Sequence, residues 1–265
     1  HPAYEAIGVK DADGNYRQLN TNLLQIENEF YSSMRPKRVT RSGETPILAL
    51  HERGVEYLEV RCMDLNPYLP VGIDAQAAHF LEVFLLWCLL QDSPPSDDAE
   101  CARIARNQTR CVEQGRNPAL ELESADGQCI GLRELALSLQ DEWLTCAALL
   151  DRAIEPHDAK PYDAKPYAAA VTAMAARLSD PDSTPSAQVL RDMTSQDLSF
   201  FKLAQQLSEK NATHFAQLVL PPDYLQAFSE GAVRSFAEQH AAEETSRLTS
   251  FDDFLAQYYQ QYALV

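Results

Sequence analysis

A chain of 265 residues is long enough for one large domain or two small ones with a substantial buried core. Its net charge of -17 argues against a nucleic-acid binder and against a protein that spreads on anionic membranes. The charge is uneven: residues 1–75 hold 8 Lys/Arg against 11 Asp/Glu and the remainder holds 14 against 28, while Arg35, Lys37, Arg38 and Arg41 fall inside seven residues that contain no acid. A cationic loop on an acidic protein points to a small anionic ligand.

Taken in order, residues 4–19 read as strand, turn and strand, with Asp13-Gly14 as the hairpin signal. Gln25, Glu27, Glu29 and Tyr31 then alternate with Ile26, Asn28 and Phe30, the pattern of a strand with a polar and an apolar face. Residues 34–46 carry Pro36, Gly43 and Pro46 and read as a loop. Residues 55–62 form the next strand, with Tyr57, Glu59 and Arg61 on one face and Leu58, Val60 and Cys62 on the other.

From Asp74 onwards the pattern becomes helical. Asp74 caps a helix to about residue 91 that is apolar nearly all round, the expected hub of a helical region. A second helix covers about 97–114 with Arg103, Arg106, Asn107 and Arg110 on its more polar side, and residues 119–130, which include Asp126-Gly127, read as a short hairpin or an irregular excursion. A single amphipathic helix is expected over 132–154, burying Leu135, Leu139, Trp143 and Leu144. Residues 158–167 repeat Asp-Ala-Lys-Pro-Tyr twice and read as a surface insertion. Helices follow over 167–178, from Thr184-Pro185 to about 193, and over 197–210, 222–236 and 251–262. The expected class is α+β, divided into a strand-rich part at 1–73 and a helical region at 74–265.

The six cysteines have no C-x-x-C spacing, so buried free thiols in a reducing cytoplasm are expected in place of a zinc or redox site. The longest apolar run, residues 80–90, contains Glu82 and is too short to cross a bilayer, and no signal peptide is visible. The chain begins at His1 and enters directly into a patterned segment, as a processed piece or one half of a larger enzyme would. The six histidines have no H-E-x-x-H spacing and read as surface or packed residues.

With nine glycines and neither G-x-x-x-x-G-K-[ST] nor G-x-G-x-x-G, phosphate binding has to come from side chains and metal. Acids on adjacent strands hold hard cations such as Mg²⁺ through oxygen, and arginines on the same face fork onto phosphate oxygens. Glu59 and Arg61, two apart on a strand, set a metal ligand and a phosphate clamp side by side. The ordinary reading of an isolated E-x-R is a same-face ion pair on a half-exposed sheet.

The segments QIENEFYSSMRPKRVTRSGETP and GVEYLEVRCMDLNPYLPVGID resemble the carboxy-terminal half of proteobacterial glutamate–cysteine ligases over about residues 4–87, and E-V-R looks like the strand of glutamine synthetases that carries a metal-binding Glu and a phosphate-binding Arg. The resemblance implies a glutamine-synthetase-like catalytic sheet at the N-terminal end, with ATP phosphorylating glutamate and cysteine displacing the phosphate to give γ-glutamylcysteine. It makes Glu59 a magnesium (or manganese) ligand, Arg61 a contact of the transferred phosphoryl group, and Tyr31 part of the cysteine pocket. Glu27 and Glu29 become candidates for metal or substrate amine, and Arg35, Arg38 and Arg41 for nucleotide phosphate, with Arg41 foremost. It also implies cytoplasmic location and a second polypeptide bearing the amino-terminal half. Two alternatives stand beside it: a related ligase with another amine acceptor, and a non-catalytic helical subunit that stabilises a catalytic partner.

Overall fold

The structure, a computed structural model, describes residues 1–154 and 165–265. The chain is mostly helical. Its elements are α1 (Pro2–Ile7), a 3-10 turn (Glu27–Glu29), β1 (Met34–Lys37), α2 (Pro46–Arg53), β2 (Tyr57–Val60), α3 (Ala75–Leu90), α4 (Asp98–Gln114), β3 (Glu121–Glu123), β4 (Cys129–Gly131), α5 (Leu132–Ser138), α6 (Gln140–Ala153), α7 (Pro166–Ser179), α8 (Pro185–Ser195), α9 (Phe200–Ala216), α10 (Pro222–Ser246) and α11 (Phe251–Gln260). Two antiparallel pairs, β1 with β2 and β3 with β4, make up the sheets of the described residues. No helix among these residues is long and apolar enough to cross a membrane.

The chain forms two compact units, one of residues 1–64 with 219–265 and one of residues 65–218. The grouping differs from the division at residue 73, because the last helices bond to the first segments. In the first unit Lys10 Nζ lies 2.8 Å from Asp252, Asn20 Nδ2 donates to the Tyr259 hydroxyl at 2.6 Å, and Thr45 N donates to Gln261 Oε1 at 2.8 Å. Its core is small: Thr45 and Ala49 are fully enclosed, and Leu48 and Leu255 nearly so.

Three expectations for the first 50 residues are corrected. Residues 4–19 are a short helix and a turn closed by one bridge, Lys10 to Tyr16, instead of a hairpin. Residues 25–31 are a 3-10 turn instead of a strand, because their acids bond to main chain: Glu29 Oε2 accepts from Gln25 N at 2.8 Å and Glu27 Oε1 from Ile47 N at 3.0 Å. Within the expected loop, residues 34–37 pair with β2, with Met34 opposite Val60, Arg35 opposite Glu59 and Lys37 opposite Tyr57. Pro36 is tolerated because Arg61 N donates to Ser33 O at 2.8 Å, a parity that turns the Pro36 nitrogen to the open edge. The strand-rich first part thus reduces to one two-stranded sheet. α2 ends the expected loop: Thr45 caps it, Pro46 starts it and Gly54, at φ +71°, turns the chain into β2.

In the second unit Asp74, Asp97 and Thr184 cap α3, α4 and α8 through bonds to the N–H groups of Ala77, Glu100 and Ala187. The core joins α3, α6 and α7 around Val83, Trp143, Cys146, Ala147 and Val171, with Phe80, Phe84 and Trp87 edge-on to Trp143. α3 belongs to this core, yet Leu89 and Leu90 at its end are exposed. The 119–130 hairpin forms with Gly127 at φ +80°. Glu123 ties it to α4 by accepting from Arg106 and Arg110, so those arginines are structural. The helix expected over 132–154 is broken between α5 and α6 at Leu139. Of the cysteines, all of them free, Cys146 is buried while Cys62, Cys88, Cys101 and Cys129 are exposed, against the expectation of buried thiols. Most of the 158–167 repeat lies outside the described residues.

Candidate active site

β1 and β2 bring Arg35, Lys37, Tyr57 and Glu59 to one face, because residues two apart on a strand share a side and Arg35 is opposite Glu59. Arg61 continues that face just past β2. Its Nη2 donates to Glu59 Oε2 at 3.0 Å, and Lys37 Nζ lies 3.3 Å from the same oxygen. The hydrogen bond from Arg61, with a smaller share from Lys37, holds the Glu59 carboxyl below its ordinary range despite partial burial. The guanidinium of Arg61 also lies over the ring of Tyr31, 5.2 Å from its centroid. Tyr31 itself is 79% exposed.

The other expected residues are placed differently. Glu27 sits at the start of α2 with its carboxylate on the Ile47 N–H. Burial raises its pKa, and that bond and the charge of Arg35 oppose the rise. Glu29 is exposed and is used on Gln25 N. Arg38 pairs with Glu56 at 3.7 Å. Arg41 is exposed; its main-chain N donates to Glu44 Oε2 at 2.8 Å. The structure therefore gathers Tyr31, Arg35, Glu59 and Arg61, and gives Glu27, Glu29 and Arg38 local partners.

Sequence reasoning missed two features. Lys37 falls within the expected loop, and only the pairing of 34–37 with β2 puts it beside Glu59. The second is the clamp on the basic loop, where Arg53 bonds both oxygens of Glu44 at 2.7 Å and Val39 O at 3.2 Å. The Arg53 bond, helped by Arg41 N, lowers the Glu44 pKa to about 2. The loop carrying Arg38 and Arg41 is thereby pinned to the end of α2.

The face is a cationic surface around one carboxylate: it can fork onto phosphate oxygens and give one oxygen ligand to a hard cation. Among the described residues no three His, Cys, Asp or Glu side chains gather as a metal-binding group. The donor set fits Mg²⁺ only in part, and the remaining oxygens would have to come from nucleotide or from another polypeptide.

The glutamate–cysteine ligase family model matches residues 1–111. A glutamate–cysteine ligase of Pseudomonas entomophila is 44% identical over 97% of this chain and 47% of its own length. That of Pseudomonas paraeruginosa is 45% identical over the same shares. Over nearly its whole length the chain is thus similar to part of these ligases. It also superposes on the crystal structure of the Francisella tularensis glutamate–cysteine ligase in complex with AMP, with TM-score 0.83 and 32% identity, covering 99% of this chain and 50% of that one. The chain spans about half the length of the glutamate–cysteine ligases it matches. The family model ends at residue 111, so it takes in all of β1, β2 and the face that carries Glu59 and Arg61.

Proposed function

We propose that this chain is the carboxy-terminal part of an ATP-dependent ligase that joins glutamate and cysteine as γ-glutamylcysteine, the first step of glutathione biosynthesis in the cytoplasm. The observation that carries the reading is the shared face of Arg35, Lys37, Glu59 and Arg61 on β1 and β2, set in a segment homologous to these ligases. β1 and β2 would be one wall of a glutamine-synthetase-like sheet, within the unit formed by residues 1–64 and 219–265.

In that role the glutamate side-chain carboxylate attacks the γ-phosphorus of ATP and ADP leaves. The cysteine amine then attacks the acyl carbon, loses a proton, and inorganic phosphate departs. Arg61 contacts the oxygens of the phosphoryl group in flight, where charge stabilisation accounts for most of the catalysis. Lys37 and Arg35 flank the same oxygens, and Tyr31 stacks under Arg61, limits its movement and forms part of the cysteine pocket. Arg41, and behind it Arg38, reaches for nucleotide phosphate from the clamped loop. Glu59 would hold Mg²⁺, which when bound with ATP supplies neutralisation of the phosphate charge. Glu27 and Glu29 could add ligands only by giving up their main-chain bonds.

One carboxylate and half a family length leave the site incomplete, so a second polypeptide with the amino-terminal half completes it. The test is product formation from glutamate, cysteine and MgATP, with ADP counted alongside. Equal amounts of γ-glutamylcysteine and ADP are expected from the assembled pair, and neither from the 265-residue chain alone. ADP release that requires a different amine would refute the choice of cysteine, and turnover by the chain alone would remove the partner.

A further inference from the structure

An open apolar cavity of about 470 Å³ lies within the second unit, formed by residues of α3, α5, α6, α7 and the turns after α4 and α7. Packed interiors leave few voids larger than a water molecule, and a cavity of this size is in the range of small-molecule sites. Phe84, Trp143 and Leu178 are among its apolar walls, and Arg116, Arg133 and Arg177 are among the other residues that line it.

Other arginines of this unit have oxygen partners: Arg103, Arg106 and Arg110 are neutralised by Glu100 and Glu123, while Arg152 and Arg191, without ion pairs among the described residues, donate to the Ala148 and Asp182 carbonyls. Among the described residues Arg116, Arg133 and Arg177 form no ion pair; the polar contact of Arg177 is to the Met174 sulfur at 3.8 Å. On a chain of charge -17, three cations around one apolar cavity without acids to meet them favour an anionic occupant. The wall carries a second mark. Trp143 is 5% exposed and its indole N–H has no acceptor, whereas the neighbouring Trp87 donates to Glu142 at 2.7 Å. A buried donor left unpaired is costly, and each such group in a native protein calls for an explanation, a bound group that accepts from it being one.

We propose that this cavity is a binding site for a small amphipathic anion, an alkyl or aryl body bearing a carboxylate, sulfonate or phosphate. The apolar body fills the cavity against Phe84 and Trp143, and the anionic group meets Arg116, Arg133 and Arg177 at its mouth. All lining residues belong to residues 65–218, so the site does not depend on the ligase chemistry assigned to the β1 and β2 face.

Anilinonaphthalene sulfonate is a direct probe, since Trp143 emission passes to it by energy transfer, and dodecanoate is the alkyl competitor. The expected result is saturable binding at about one per chain with Kd near ~1–100 μM, displaced by dodecanoate and not by dodecyltrimethylammonium. Arg133→Ala and Arg177→Ala each weaken it by about tenfold through lost charge-assisted bonds; Ala136→Phe, which fills the cavity, abolishes it; Arg247→Ala in the other unit leaves it unchanged. Equal displacement by the cationic detergent, or parental affinity in both arginine variants, would overturn the proposal. Loss of binding when the amino-terminal polypeptide assembles would also overturn it and assign the cavity to that partner. Should Ala136→Phe fail to fold by circular dichroism, the arginine variants decide.

Discussion

Replacing Glu59 by Gln separates the catalytic reading of the β1 and β2 face from a purely structural one. The substitution keeps the length and one hydrogen-bond acceptor for Arg61, and removes the negative charge that Arg61 meets at 3.0 Å and Lys37 at 3.3 Å. About a third of the Glu59 side chain faces solvent, at 35%, so both contacts are screened and contribute little to the fold. The thermal midpoint should move by no more than about 3 °C. Loss of the ligand that would hold the charge-neutralising Mg²⁺, by contrast, removes an electrostatic contribution of the kind that costs about 10²–10³-fold in kcat. The assay is γ-glutamylcysteine formation by the assembled protein at saturating glutamate, cysteine and ATP over a Mg²⁺ titration, with circular dichroism melting in parallel. The expected outcome is a fall in kcat of at least about 100-fold, a higher Mg²⁺ requirement and a nearly unchanged melt. Turnover within threefold of the parent would refute the reasoning and leave Glu59 as an ordinary ion pair.

Tyr31→Ala should raise KM for cysteine more than it lowers kcat, and Tyr31→Phe should restore most of it, because the ring under Arg61 is kept; steady-state kinetics in cysteine checks both. The Glu44–Arg53 clamp predicts a pH effect. Glu44 titrates at about 2 in the folded chain against about 4.5 unfolded, so its stabilising effect is full above the unfolded value and is lost as pH falls from there towards 2. Arg53→Met should therefore flatten the fall in urea midpoint over that window; an unchanged slope would count against the clamp. Val83→Ala, at a fully enclosed position in the second unit, should cost about 2–3 kcal/mol in denaturant unfolding, from two lost methyl groups and the void they leave. Asp74→Ala should cost about 1 kcal/mol by removing the cap on the Ala77 N–H.

The helical part was legible where a cap or a turn carried its own chemistry. Asp74, Asp97, Thr184-Pro185 and Asp126-Gly127 each act on main chain within three or four residues, and each marks the start or turn it was read to mark. The first 50 residues were not legible in this way, because long-range bonds decide their conformation. The alternation of residues 25–31 says strand, yet Glu27 is drawn to Ile47 N, 20 residues on, and the segment tightens into a 3-10 turn. Pro36 says loop, yet the ladder parity with β2 spares its missing N–H. Glu59 and Arg61 were placed together correctly because their relation is local. Lys37 was not, since its place beside Glu59 depends on the register between two strands.

The hydrogen bond from Thr45 N to Gln261 Oε1 spans 216 residues. During synthesis, at ~5–20 residues per second, residue 45 would wait roughly 10–40 s for its partner to emerge. Over that interval the intervening segment, residues 65–218, can finish its own core before the bond from Thr45 to Gln261 forms. The connectivity predicts that residues 65–218 fold first and that the first unit closes last, which pulse-labelled hydrogen exchange during refolding would check. A chain truncated before residue 255 would keep its helical middle and lose the half that carries Glu59 and Arg61.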